Sequence, residues 1–135
     1  MKKSVLITSM LMATTLLSAQ MSKQEMDKVK QTNPLVAQWT TPHQTPPFNL
    51  IKTDDYKPAM LYAIEKAKED INAIISNTAE PTFENTIVAY EQSGKLLDRV
   101  AGLLFNMNEA FTSDELQQAA QELTPILTQY STDVS

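Results

Sequence analysis

The chain of 135 residues has no cysteine, two glycines, one histidine and one tryptophan, and each scarcity removes a class of chemistry. Without Cys there is no disulfide framework, no thiol nucleophile and no thiolate metal ligand. A lone histidine, His43, leaves no partner for a histidine-based metal site and no helical H-E-x-x-H. Gly94 and Gly102 sit apart inside a helical pattern, so there is no glycine-rich loop to cradle a phosphate. Positive charge is also short: 11 Lys and Arg stand against 16 Asp and Glu, a formal net charge of −5. That balance argues against nucleic acid and anionic membrane as partners.

One long apolar run is present, at the very start. In MKKSVLITSMLMATTLLSAQ, Lys2 and Lys3 precede an uncharged stretch from Val5 to Leu17, followed by the small residues Ser18 and Ala19. The run is shorter than the ~20 residues that cross a bilayer, and the pattern is that of a secretory signal peptide. Residues 1–19 are therefore expected to be a signal peptide cut after Ala19. The mature protein is expected to be exported, periplasmic or secreted, with no membrane attachment. Loss of Lys2 and Lys3 would deepen its formal charge from −5 to −7.

Residues 20–52 read as a mobile tail and an extended Pro-rich segment. MSKQEMDKVKQ, Met21 to Gln31, is polar with few apolar residues, so little fixed structure is expected there. NPLVAQWTTPHQTPPF then places Pro34, Pro42, Pro46 and Pro47 within Asn33 to Phe48. Each proline lacks an amide donor and pushes its predecessor toward extended geometry, so this is a strap rather than a helix. Leu35, Val36, Trp39 and Phe48 are its expected anchors on helical surface.

Residues 53–135 read as three long antiparallel helices, an all-α segment. The first is predicted to start with Thr53, Asp54 or Asp55 as cap, with Pro58 near its first turn, and to stop near Asn77. Met60, Ile64, Ala67, Ile71 and Ile74 recur at helical spacing and form its apolar stripe. Thr82 is placed to cap the second, whose stripe runs Phe83, Ile87, Tyr90, Gly94, Leu97, Ala101, Leu104, Asn108, widened by Val100, Leu103, Phe105 and Phe111. The period passes through Gly94 without slipping, which favours one continuous helix of roughly 40 Å at ~1.5 Å per residue. Gly94 and Gly102 are then explained by close approach of a neighbouring helix. Thr112 and Glu115 have capping-box spacing for the third helix, whose stripe is Leu116, Ala120, Leu123, Leu127, Tyr130 and Val134. That stripe is still running at Ser135 with no Gly or Asn stop signal, so the sequence reads as cut inside an element.

No catalytic or metal residue emerges, and no substrate-binding residue can be named. His43 reads as an exposed loop histidine. Glu84, Glu91 and Asp98 recur every seven residues, about 10 Å apart on a helix, too far to act on one atom. Asp54, Asp55, Asp114 and Glu115 are explained by helix N-termini. Met60, Met107, Phe83, Tyr90, Phe105 and Phe111 are expected core.

The wording of the sequence carries more than its periodicity. NPLVAQWTTPHQTPPFNLIKTDDYKPA, then PTFENTIVAYEQSGKLLDRV, then FNMNEAFTSDELQ resemble the N-terminal region of the thimet oligopeptidase-like zinc metallopeptidases, within which the bacterial peptidyl-dipeptidases look most similar. The resemblance runs from about Asn33 to Ser135. It implies a segment of a larger helical peptidase lobe flanking a deep channel, oligopeptide substrates, and zinc held by H-E-x-x-H and a downstream glutamate. None of those ligands has a counterpart here, so zinc and its partner, the C-terminal catalytic region, belong to the full-length family protein. The competing expectation is a small secreted helical binding module or inhibitor built on the same helices.

Overall fold

Ser22 and Glu25 satisfy each other's backbone donors. Ser22 Oγ accepts the Glu25 amide at 3.3 Å while the Glu25 carboxylate accepts the Ser22 amide at 2.8 Å. This reciprocal cap opens α1 (Lys23–Thr32), so the stretch expected to lack fixed structure is a helix with Val29 buried. The signal was legible as S-x-x-E spacing, which outweighs the poverty of apolar residues. The computed structural model describes residues 20–135, and the expected signal peptide, residues 1–19, lies outside the described residues.

After α1 the chain runs through a single 3₁₀ turn, Pro42–Gln44, to α2 (Thr53–Ile75). A π-helical turn, Phe83–Val88, then leads into α3 (Ala89–Ser93), α4 (Lys95–Ala110) and α5 (Asp114–Asp133). Among the described residues the fold is all-α, with no strand.

The first long helix starts and stops close to where the sequence places it. Its cap is Lys52, whose amide donates to the Asp55 carboxylate at 2.8 Å. At the second, Thr82 caps as expected: its hydroxyl accepts the Asn85 amide, and Asn85 Oδ1 accepts the Thr82 amide at 2.8 Å. The third is capped by Ser113, one residue later than the Thr112 expected, through the Leu116 amide at 3.2 Å. Thr112 instead accepts a side-chain bond from Gln117.

The second long helix is not continuous. It opens with the π-helical turn and is interrupted at Gly94, which ends α3 and precedes α4 with φ −99° and ψ −4°. Nor do the glycines admit a neighbouring helix. A Cβ on Gly94 would meet only the Asp98 carboxylate at 3.9 Å, and one on Gly102 would meet nothing within 4 Å. Gly94 serves the break, while Gly102 is an exposed helical position without a contact that requires it.

All other helices lean on α2. Tyr56, Ala59, Met60, Tyr62, Ala63, Ile64 and Ala67 are buried along it, facing Leu97, Val100 and Leu104 of α4 and Leu116 and Leu123 of α5 in one core. Two ion pairs reveal the register of α5: Lys57 with Glu122 at 3.1 Å and Lys68 with Asp133 at 3.9 Å. Positions rise together along both helices, so α2 and α5 run the same way, and α4 returns between them. Burial fades along α2 toward the α2–α3 connection: Ile71 and Ile74 are half-buried and Ile75 is exposed. Phe83, Tyr90 and Phe111, expected in the core, are exposed as well.

Two measurements follow. Gly102→Ala should raise stability by about 1 kcal/mol, since nothing opposes the added methyl and Ala is the better helix former. Thermal melting of the two proteins checks this, and a lowered midpoint would mean that something does occupy that space. Bonds from Lys57 and Gln118 hold the Glu122 carboxyl below its ordinary pKa. A lowered folded value stabilises above the ordinary carboxylate pKa, and that support is lost as pH falls through the lowered value. The wild type should therefore lose more melting temperature between pH 7 and pH 3 than Glu122→Gln does, and parallel losses would exclude the pair.

Candidate functional site

His43 and Trp39, the residues that first draw attention, occupy different situations. His43 lies in the 3₁₀ turn at φ 57° and ψ 20°, followed by Gln44 at φ 55°. Two successive non-glycine residues in the left-handed region turn the strap sharply, and the imidazole is exposed. Thr45 Oγ1 donates back to the Pro42 carbonyl at 3.0 Å and fastens the turn.

Trp39 belongs to a latch. Its indole Nε1 donates to the Pro34 carbonyl at 2.8 Å, and the Arg99 guanidinium of α4 lies 4.4 Å from the ring centroid. One Arg99 nitrogen also donates to the Leu35 carbonyl at 2.6 Å and, more loosely, to those of Val36 and Ala37 at 3.3 Å. Burial pushes the guanidinium below its ordinary pKa. Arg99 forms no ion pair among the described residues: its charge is met by carbonyl dipoles and an aromatic face instead of a carboxylate.

Asn33 fastens the other end of the strap. It is 5% exposed, donates Nδ2 to the Asp55 carbonyl of α2 at 2.8 Å, and accepts the Leu35 amide at 2.9 Å. Between these two fixings Leu35 is fully enclosed, and Val36 packs on the same core. Phe48 does not anchor: a tight turn in which its amide donates to the Pro46 carbonyl at 2.8 Å leaves it 54% exposed. Ile51 reaches the core in its place. Sequence reading found Leu35, Val36 and Trp39 but missed Arg99, whose signal is a cation set between the core positions Leu97 and Val100.

Beside the latch lies an open cleft of about 480 Å³ bordered by Asn33, Pro34, Ala37, Trp39, Thr41 and Leu50. Its lining holds no ionisable side chain. A second groove of about 480 Å³ runs between α2 and α5 past Leu61, Glu65, Lys68, Ile126 and Tyr130. Neither brings a nucleophile and a base together. Glu84, Glu91 and Asp98 are exposed and fall on three different elements, the π-helical turn, α3 and α4. Asp55 and Glu115 work at helix starts: a hydrogen bond from its own backbone and, after it, one with Ser113 hold the Glu115 carboxyl below its ordinary pKa. Among the described residues no three His, Cys, Asp or Glu side chains gather where they could hold a metal.

Sequence comparison supplies what geometry does not. The chain is 41% identical over 103 residues, 76% of its length, to the dipeptidyl carboxypeptidase of Salmonella typhimurium. It is 38% identical over 102 residues to the dipeptidyl carboxypeptidase of Escherichia coli and 30% identical over 101 residues to that organism's oligopeptidase A. The chain is homologous to these peptidases. It spans about 15% of the length of the two dipeptidyl carboxypeptidases, and no protein-family model matches it.

The phrases that carry the resemblance meet in space. Arg99 of EQSGKLLDRV holds the carbonyls of Leu35, Val36 and Ala37 of NPLVAQW, so two stretches far apart in the chain form one latch. Arg99→Lys keeps the charge but not the planar fork that spans ring and carbonyls. Arg99→Lys and Trp39→Leu should each destabilise the chain by roughly 1 kcal/mol, and the double variant by less than their sum. Faster amide exchange confined to residues 33–39 is the accompanying readout. Additive losses would dissolve the latch.

Proposed function

We propose that this chain is the N-terminal segment of an exported, zinc-dependent peptidyl-dipeptidase that releases dipeptides from the C-termini of oligopeptides. The observation that carries the reading is 41% identity along 76% of the chain against only 15% of the relative. A piece this small, related along most of its length, corresponds to one portion of such an enzyme. The role of the segment is structural: its helices and latched strap form scaffold and channel wall.

The residues present do not make a zinc site. His43 stands alone on the strap, and the sequence contains no H-E-x-x-H. The metal, the water it activates and the dipeptide-releasing chemistry are assigned to the catalytic region of the full-length protein, and oligopeptides are its substrates. Export rests on residues 1–19, whose charged, apolar and small-residue stretches follow the signal-peptide order. The second reading, a small secreted helical binding module or inhibitor, draws on the exposed apolar residues of the α2–α3 hairpin.

Purified residues 20–135 are expected to release no dipeptide from a test oligopeptide, with or without added zinc. A chimaera in which residues 33–135 replace the corresponding segment of the Salmonella typhimurium dipeptidyl carboxypeptidase is expected to keep zinc-dependent dipeptide release. Activity of the short chain, or a folded chimaera without activity, would overturn the assignment. Residues 1–19 fused to a reporter active only outside the cytoplasm should yield signal, and a silent fusion would remove export.

A further inference from the structure

Several large exposed apolar side chains, Ile75, Phe83, Ile87, Val88 and Tyr90, lie on the two sides of the α2–α3 connection. α5 accompanies α2 as far as Lys68, where Asp133 pairs with it, and α2 then continues to Ile75. Beyond the connection, Phe83–Val88 contains no buried residue and makes no extensive contact with any helix but α3, with which it is continuous. Ile75 is 76% exposed, Phe83 67%, Ile87 50% and Tyr90 55%. Phe83, Ile87 and Tyr90 are spaced four and three apart and so share a face. Isolated exposed apolar residues are ordinary, whereas three within two turns, with Ile75 also exposed at the end of α2, are the kind of surface that another surface covers.

The charge around this face identifies what fits it. From Glu69 to Gly94 the chain carries Glu69, Asp70, Glu80, Glu84 and Glu91 and no Lys or Arg. Two copies meeting through this face would set these carboxylates against each other. A partner that complements it presents an apolar recess rimmed by Lys or Arg.

We propose that the tip of the α2–α3 hairpin docks on the catalytic remainder of the peptidase, with Ile75, Phe83, Ile87 and Tyr90 in an apolar recess and basic residues facing Glu80, Glu84 and Glu91. This rests on the family reading above and on the relatives being several times longer than this chain. The remainder is the partner because it is present in every copy of such an enzyme at fixed register. A permanent contact of that kind is where large apolar side chains can stay unburied in the segment alone. Phe83 and Ile87 both lie on the π-helical turn, in which no residue is buried.

The test compares one pair of substitutions in two settings. Phe83→Gln with Ile87→Gln should leave the melting midpoint of residues 20–135 unchanged and reduce their binding of a hydrophobic dye. In the chimaera, the same pair should lower the midpoint by about 2–4 °C or more. Glu84→Lys with Glu91→Lys should lower the chimaera's midpoint too, because cations would then face cations. This second pair decides the matter if the isolated chain melts too broadly to compare. The proposal is overturned if neither pair affects the chimaera, or if Phe83→Gln with Ile87→Gln destabilises both settings equally, which would make these residues part of the segment's own core. It is also overturned if the isolated chain sediments as a dimer that this pair dissociates. A chimaera that fails to fold before any of these substitutions removes the family reading itself, and the docking proposal with it.

Discussion

The structure depends on one helix being covered on several sides. α2 buries Ala59, Ala63 and Ala67 almost completely, with Met60 and Ile64 beside them, and α1, α3, α4 and α5 all pack on it. Alanines at intervals of four form a low ridge, which lets neighbouring backbones come close without the entropic penalty that glycine imposes on a helix. Small buried residues at the helix contacts, expected at Gly94 and Gly102, are instead these alanines of α2. The glycines of the second long helix are left with different roles: Gly94 marks a break, and Gly102 has no neighbour that needs it.

Around that ridge the proline-rich strap acts as a fourth wall. A strap cannot satisfy its own backbone as a helix does, so its carbonyls need donors from elsewhere. Arg99 supplies them for three consecutive residues, and Asn33 bridges the strap to the Asp55 carbonyl. Both fixings are polar groups on or beside apolar positions, and together they hold Leu35 in the core. Breaking either would expose that leucine as well as leaving carbonyls unpaired. This explains why the strap is ordered although it contains so little regular structure.

Helix positions, the Thr82 cap and most of the stripe residues were legible because helical period and capping chemistry act locally. Met60, Ile64, Ala67, Leu97, Leu104, Leu116 and Leu123 sit inside as their spacing implies. The errors share a physical origin. Periodicity reports which face of a helix is apolar but not whether another element lies against that face, so Phe83, Ile87 and Tyr90 read as core and stand in solvent. It is also blind to a break that keeps right-handed helical geometry, as at Gly94. α1 was missed for the converse reason: its ends are secured by Ser22 and Glu25 while its middle is nearly all polar. Arg99 was missed because a latch joining residues over sixty positions apart leaves no local trace.

The covered part of the molecule is centred on α2. Along the strap, α2, α4 and α5 most apolar side chains that the period assigns inward find a neighbour in one core, Phe111 at the end of α4 being an exception. Toward Ile75 and Phe83 the same period continues while the neighbours run out. Little among the described residues covers Ile75, Phe83 and Ile87, so they add little to the stability of the elements that carry them. Exposed apolar side chains beside Glu80, Glu84 and Glu91, with no Lys or Arg from Glu69 to Gly94, are a pattern that local stability does not require. A covering surface would supply what the helices lack here, and the acidic flanks would favour a basic one.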